Sequence, residues 1–192
     1  MKKLISFSLI TVISVALIYW LGFSDFELGK YDNFQEAIEK GIPYRVNDII
    51  HTEQYDNVTI VMYTTEPNKE DFPFADWEAL AVAFFIGSDE KGWKNIGHHG
   101  WDHYENDNMT IYSESLREHD NDGNKLHEFY VVFGEVNNGE IIKVETKAKE
   151  EEKFEEAKII TAKGKRYYFK IGREMIVRGL SKSGEVIDRQ GG

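Results

Sequence analysis

Apolar positions change their spacing along the chain. The first stretch, Leu4–Phe23, is an almost unbroken apolar run behind Lys2 and Lys3. A helix rises about 1.5 Å per residue, so roughly 20 residues cross a hydrocarbon core of about 30 Å, and this run is long enough. Ser6, Ser8, Thr11 and Ser14 can return their hydroxyl hydrogen bonds to the preceding helical turn. Tyr19 and Trp20 stand where amphipathic rings favour the interface. Lys2 and Lys3 hold the amino terminus in the cytoplasm, with Asp25 and Glu27 on the other side. A cleaved secretory signal is the alternative, since Gly22 and Ser24, or Ser14 and Ala16, supply the small residues that a signal peptidase needs. Both readings export residues 25–192: a single-pass cell-membrane protein with its carboxy-terminal part outside, or a secreted one. The run has no polar face, which argues against a buried core helix.

After a linker over residues 25–31, Phe34, Ala37 and Ile38 fall at helical spacing, which predicts a short amphipathic helix over Asn33–Lys40. Asp32 serves as its N-cap, and Gly41 and Pro43 end it. From Val46 the pattern is strands. Val58–Thr65 is rich in β-branched and aromatic residues, and Glu78–Ser88 is apolar nearly throughout, as in a central strand covered on both faces. Gly87–Gly92 turns into Trp93–Ile96, while His98–Asn108 reads as a loop and Met109–Ser113 as a strand. Glu114–Lys125 reads as a polar connection, and His127–Val136 as a second core strand. Asn137, Asn138 and Gly139 suit the positive φ angles of a tight hairpin, which would pair Glu140–Glu145 back onto that strand. Lys147–Lys158 fits either a short charged helix or a charged loop running into a strand. Lys165–Ile171, Met175–Leu180 and Glu185–Asp188 close the series, and Arg189–Gly192 is too small and polar to contribute to a core. The expectation is an anchor or signal over 1–24 and a single domain over 32–192. That domain is α+β and mainly antiparallel β, with about eight to ten strands in a sandwich-like or open-sheet arrangement.

The stretches FQEAIEKGIP at Phe34–Pro43, FGEVNNGEIIKVE at Phe133–Glu145, and KRYYFKIG followed by VRGLSKSGEVID give the exported part a family resemblance. It resembles small, N-terminally membrane-anchored, largely uncharacterised extracytoplasmic proteins of bacilli. The resemblance implies location and an exported domain, and carries no catalytic residue.

Charge narrows the partners. Removing Lys2 and Lys3 from 23 basic residues leaves 21 against 34 acidic ones, a formal charge of −13 on the exported part. Such a surface repels nucleic acid and anionic headgroups. With no cysteine, disulfides, thiolate metal sites and a lipoprotein anchor are excluded. The aromatic content is too high for a disordered stalk.

Candidate chemistry is sparse. His98, His99, Asp102 and His103 lie close together and are suitable zinc ligands, although Gly97 and Gly100 disfavour the helix that would align them. Glu118, Asp120, Asp122 and Asn124 resemble half of a calcium loop, but Phe129 stands where the bidentate Glu would be required. His127-Glu128 is not followed by the second histidine of a zinc protease motif. Ser88 and Lys91 match SxxK across a hairpin turn rather than a helix. Trp77, Trp93, Trp101 and Tyr104 suggest an aromatic platform, although aromatics in a β domain more often serve the core. No resident cofactor is required, zinc or calcium being the ions these groups would take. The functional expectation is a non-enzymatic, membrane-anchored extracytoplasmic domain that binds a protein or ligand at the cell surface. The alternative is a metal-dependent enzyme built on His98–His103.

Overall fold

The computed structural model describes residues 30–66, 77–97, 106–172 and 176–191. Leu4–Phe23 lies outside the described residues, and among these no helix is long and apolar enough to cross a membrane. Helix α1 (Phe34–Gly41) is followed by β1 (Val46–Tyr55), β2 (Val58–Thr65), β3 (Ala79–Ser88) and β4 (Gly92–Asn95), a sheet in that order. The second sheet runs β5 (Tyr112–His119), β6 (Lys125–Glu135), β10 (Lys165–Ile171) and β9 (Lys158–Ala162). The third runs β12 (Val186–Gly191), β11 (Ile176–Leu180), β7 (Lys143–Lys147) and β8 (Glu155–Glu156). The strand pairs in all three sheets are antiparallel.

The sheets stack, and side-chain alternation explains how. Successive residues of a strand point to opposite faces. Val58, Ile60 and Met62 of β2, with Leu80, Val82 and Phe84 of β3, meet Phe129, Val131 and Phe133 of β6 and Tyr167 and Phe169 of β10. Their neighbours Val61, Tyr63, Ala81, Ala83 and Phe85 face the other way and receive Ala37, Ile38 and Ile42 from α1 and the residue after it. Val132 and Tyr168 turn from the second sheet toward Val144 and Val177 of the third. The layers are therefore α1, first sheet, second sheet, third sheet. Covering on both faces accounts for β2, in which every residue is buried, and for the apolar character of β3, β6 and β10.

Several elements depart from the sequence pattern. The N-cap of α1 is Asn33, one residue beyond Asp32: the Asn33 side chain accepts from the Glu36 N–H, and the Asp32 N–H donates to the Glu36 carboxylate. This is a close variant of the reciprocal capping box. Glu114–Lys125 is not a connection throughout, because β5 continues to His119 before the turn. An edge strand needs one covered face only, and Tyr112 and Leu116 are its buried residues, so its polar residues hid it. Asn137–Gly139 is not a tight hairpin. None of its residues has positive φ, β6 pairs with β5 and β10, and the chain crosses there into the third sheet. The crossover is fixed by Asn137 and Asn138 N–H groups donating to the Asn108 carbonyl, and by Arg166 donating to the carbonyls of Asn138 and Ile141. Lys147–Lys158 takes the loop-into-strand form, with Phe154 seated 3.9 Å from the Arg178 guanidinium. Arg189–Gly191 belongs to β12, and the Gln190 amide donates to the Met109 carbonyl, so this tail contributes to the third sheet. Among the described residues there are twelve strands.

Candidate functional site

The first sheet does not close at one end. Pairing between β2 and β3 stops at Thr59–Phe85. The β1–β2 hairpin continues to Tyr55–Val58, and the β3–β4 hairpin to Ser88–Gly92. The two hairpins part beyond that point. A cleft of about 510 Å³ opens between them, lined by Gln54, Asn57, Thr59, Ile86, Gly87, Ser88, Lys91 and His127.

Local sequence fixes both lips. Asp56 and Asn57 have φ of 50° and 59°, the left-handed pair of a two-residue hairpin turn, and both residue types tolerate it. Across the cleft, Gly87 has φ of +126°, and a Cβ there would lie 2.1 Å from the Gly92 carbonyl oxygen. Only glycine fits. Ser88 accepts from the Lys91 N–H through its carbonyl at 3.1 Å and its hydroxyl at 3.3 Å. The SxxK pair is thus a turn contact and not a nucleophile beside its base.

The second sheet supplies the remaining wall. His127 Nδ1 is 3.0 Å from Asp56 Oδ2, which ties β6 to the β1–β2 turn. Its Nε2 is 3.9 Å from Glu118 Oε2, an ion-pair distance only for a protonated ring. That Glu118 oxygen is buried without a hydrogen-bond partner. Tyr55 stands beside this wall, edge-on to Phe129 at 5.1 Å, and remains 47% exposed.

The sequence-predicted groups are placed as follows. His98, His99, Asp102 and His103 lie outside the described residues, as do Trp101 and Tyr104. Glu118 points toward His127 rather than toward the Asp120 turn. Asp120 accepts from the Asn124 side chain at 2.8 Å and from the N–H groups of Asn124 at 2.7 Å and Asp122 at 2.9 Å. The Asn124 side-chain bond, then the Asn124 N–H, hold this carboxyl below the usual carboxylate range. Its oxygens are occupied by donors of its own turn. Among the described residues no group of three His, Cys, Asp or Glu side chains converges to hold a metal ion. Trp93 packs at 4.7 Å on Phe34 of α1, and its indole N–H donates to Asp89, so it serves the helix contact.

Sequence reasoning missed Gln54, Asn57, Thr59 and Ile86 altogether. The available signal was the pair Asp56-Asn57 ahead of a strand and the glycines bracketing the next turn. No known protein family, curated protein or solved structure matches the chain, and the functional reading rests on the chain's own geometry.

Proposed function

We propose that the protein is a non-enzymatic binding domain, anchored in the membrane by Leu4–Phe23 and displayed outside the cell, which takes its ligand in the cleft between the parted hairpins. The observation that carries this is the state of the cleft's polar side chains. Gln54, Asn57, Thr59 and Lys91 line it without a side-chain hydrogen bond or ion pair of their own among the described residues. Polar groups converging on a concave, partly apolar surface are the usual composition of a ligand seat.

The entry of the chain supports the placement. Tyr31 pairs with Trp93 of β4 by N–H to carbonyl bonds of 2.8 and 2.7 Å, and Lys30 lies against Gly92, next to Lys91 of the cleft. Residues 24–29 reach at most about 20 Å when fully extended. An anchored protein therefore holds this cleft close to the bilayer surface.

A reporter fused after Gly192 tests the topology and is expected to be active only outside the cytoplasm. A photo-crosslinking residue in place of Ser88, used in intact cells, tests the seat. An adduct is expected there and not at Glu185, in the turn before β12; labelling equal at both positions would count against the cleft.

A further inference from the structure

The cleft departs from the rest of the domain in charge. The exported part has 34 acidic residues, yet no carboxylate lines the cleft. Among the described residues seven lysines have a carboxylate within ion-pair range: Lys40 with Glu36, Lys125 with Glu128, Lys143 with Glu145, Lys158 with Glu53, Lys163 with Asp48, Lys165 with Glu78 and Lys170 with Glu155. Lys91, like Lys94, Lys149, Lys153 and Lys182, has none among the described residues, and of these it is Lys91 that lines the cleft. The carboxylates nearest in sequence are directed elsewhere, Asp56 to His127 and Asp89 to the Trp93 indole.

Apart from His127, which faces Asp56, the remaining polar lining can donate hydrogen bonds. Gln54 and Asn57 each present an amide NH₂, and Thr59 and Ser88 present hydroxyls. Ile86 and Gly87 form an uncharged floor. A single ammonium balances one negative charge, and the amides and hydroxyls around it can donate to the remaining oxygens of a carboxylate or to the polar body that carries it. The acidic field of the domain opposes any anion at long range, but it is screened beyond a Debye length of about 8 Å at physiological salt.

From this we infer that the ligand of the cleft is a compact molecule carrying one carboxylate on a neutral, hydrogen-bonding body, with Lys91 taking the carboxylate. The inference rests on the cleft being the ligand seat. The chemistry is shared by a peptide carboxyl terminus and a sugar acid, so the test includes both.

Full-length protein in a neutral detergent is titrated with N-acetyl-Ala-Ala and with glucuronate, each beside its neutral amide, while the side-chain NH₂ resonances of Gln54 and Asn57 are followed. One acid is expected to move these resonances and to bind about tenfold more tightly than its amide, the size expected of one charge-assisted contact in a partly exposed site. Lys91→Gln should abolish that preference, and Lys91→Arg should retain most of it. The acid that binds identifies the source. Equal binding of acid and amide, or a preference that survives Lys91→Gln, would overturn the carboxylate assignment and leave the cleft as the seat. If none of the probes perturbed Gln54 or Asn57, the assignment would also fail, and the crosslink at Ser88 would then decide separately whether the cleft binds anything.

Discussion

Two histidines stand at the seam between the first and second sheets, and they are built differently. His51, on edge strand β1, has Nε2 2.8 Å from Glu53, and Lys158 of β9 reaches the same carboxylate at 3.1 Å. One nitrogen cannot donate to Glu53 and accept from Lys158 together, so the carboxylate is the hub and takes both donors. Phe169 lies edge-on beneath this ring at 5.3 Å. His127, across the sandwich, has the inverse arrangement: one ring faces two carboxylates, Asp56 and Glu118, and among the described residues no lysine completes the group. The seam with a lysine is sealed by charge. The seam without one opens on the cleft. At His127 the two carboxylates lie behind the cleft wall on one ring, and a buried oxygen of Glu118 is left without a hydrogen-bond partner.

The contrast can be broken first at its apolar footing. Phe169→Ala removes the ring under His51, and Phe129→Ala the ring under Tyr55. Each is expected to cost about 3–5 kcal/mol, read from denaturant unfolding. A cost confined to one of them would mean that the two seams do not share one core. Next comes the polar contrast itself. His127→Gln removes the ring's hydrogen bond to the Asp56 carboxylate and is expected to cost about 1–3 kcal/mol at neutral pH, the worth of a hydrogen bond to a charged group. His51→Gln leaves the Lys158–Glu53 pair in place and should cost no more than about 1 kcal/mol. Equal losses in the two variants would erase the distinction.

Acid separates the seams further. Burial of Glu53 opposes its ionisation, but the hydrogen bonds from His51 and Lys158 and their charges outweigh it, so its carboxyl titrates below the ordinary value of 4.5. A group depressed in the folded state contributes stability above its unfolded pKa, and that stability is lost as pH falls through the folded one. With the side chain 35% exposed, solvent screening limits the contribution to about 1 kcal/mol. Glu53→Gln should therefore flatten the loss of stability below pH 4.5; an unchanged acid profile would show that the carboxylate is not the hub. The smallest effect is Lys158→Gln, expected to cost a few tenths of a kcal/mol. That cost should vanish in 1 M salt, where the Debye length is about 3 Å.

Much of this was legible without coordinates, though unevenly. Val58–Thr65 and Lys165–Ile171 are strands with the bounds that their β-branched and aromatic runs suggest, and His127–Val136 lies almost wholly within β6. The candidate cleft was nearly invisible. Gln54, Asn57 and Thr59 are ordinary strand and turn residues in sequence, and what sets them apart is the ending of the β2–β3 ladder at Thr59–Phe85.

The sequence by itself determined where apolar side chains are concentrated, and hence that β2, β3 and β6 would be core strands and that a short helix would lie before them, whereas the central place of β10 came from the sheet order. Burial on both faces leaves a continuous apolar run, which is a local record. Tertiary structure alone decided what pairs with what. Gly134 admits the Thr110 carbonyl so closely that a Cβ there would lie 2.1 Å from it. The Asn137–Gly139 segment turns into another sheet because Asn108 and Arg166, distant in sequence, bind its backbone. Whether a hairpin closes or a crossover forms depends on which remote donors reach the same carbonyls, and residue order along the chain does not encode those distances.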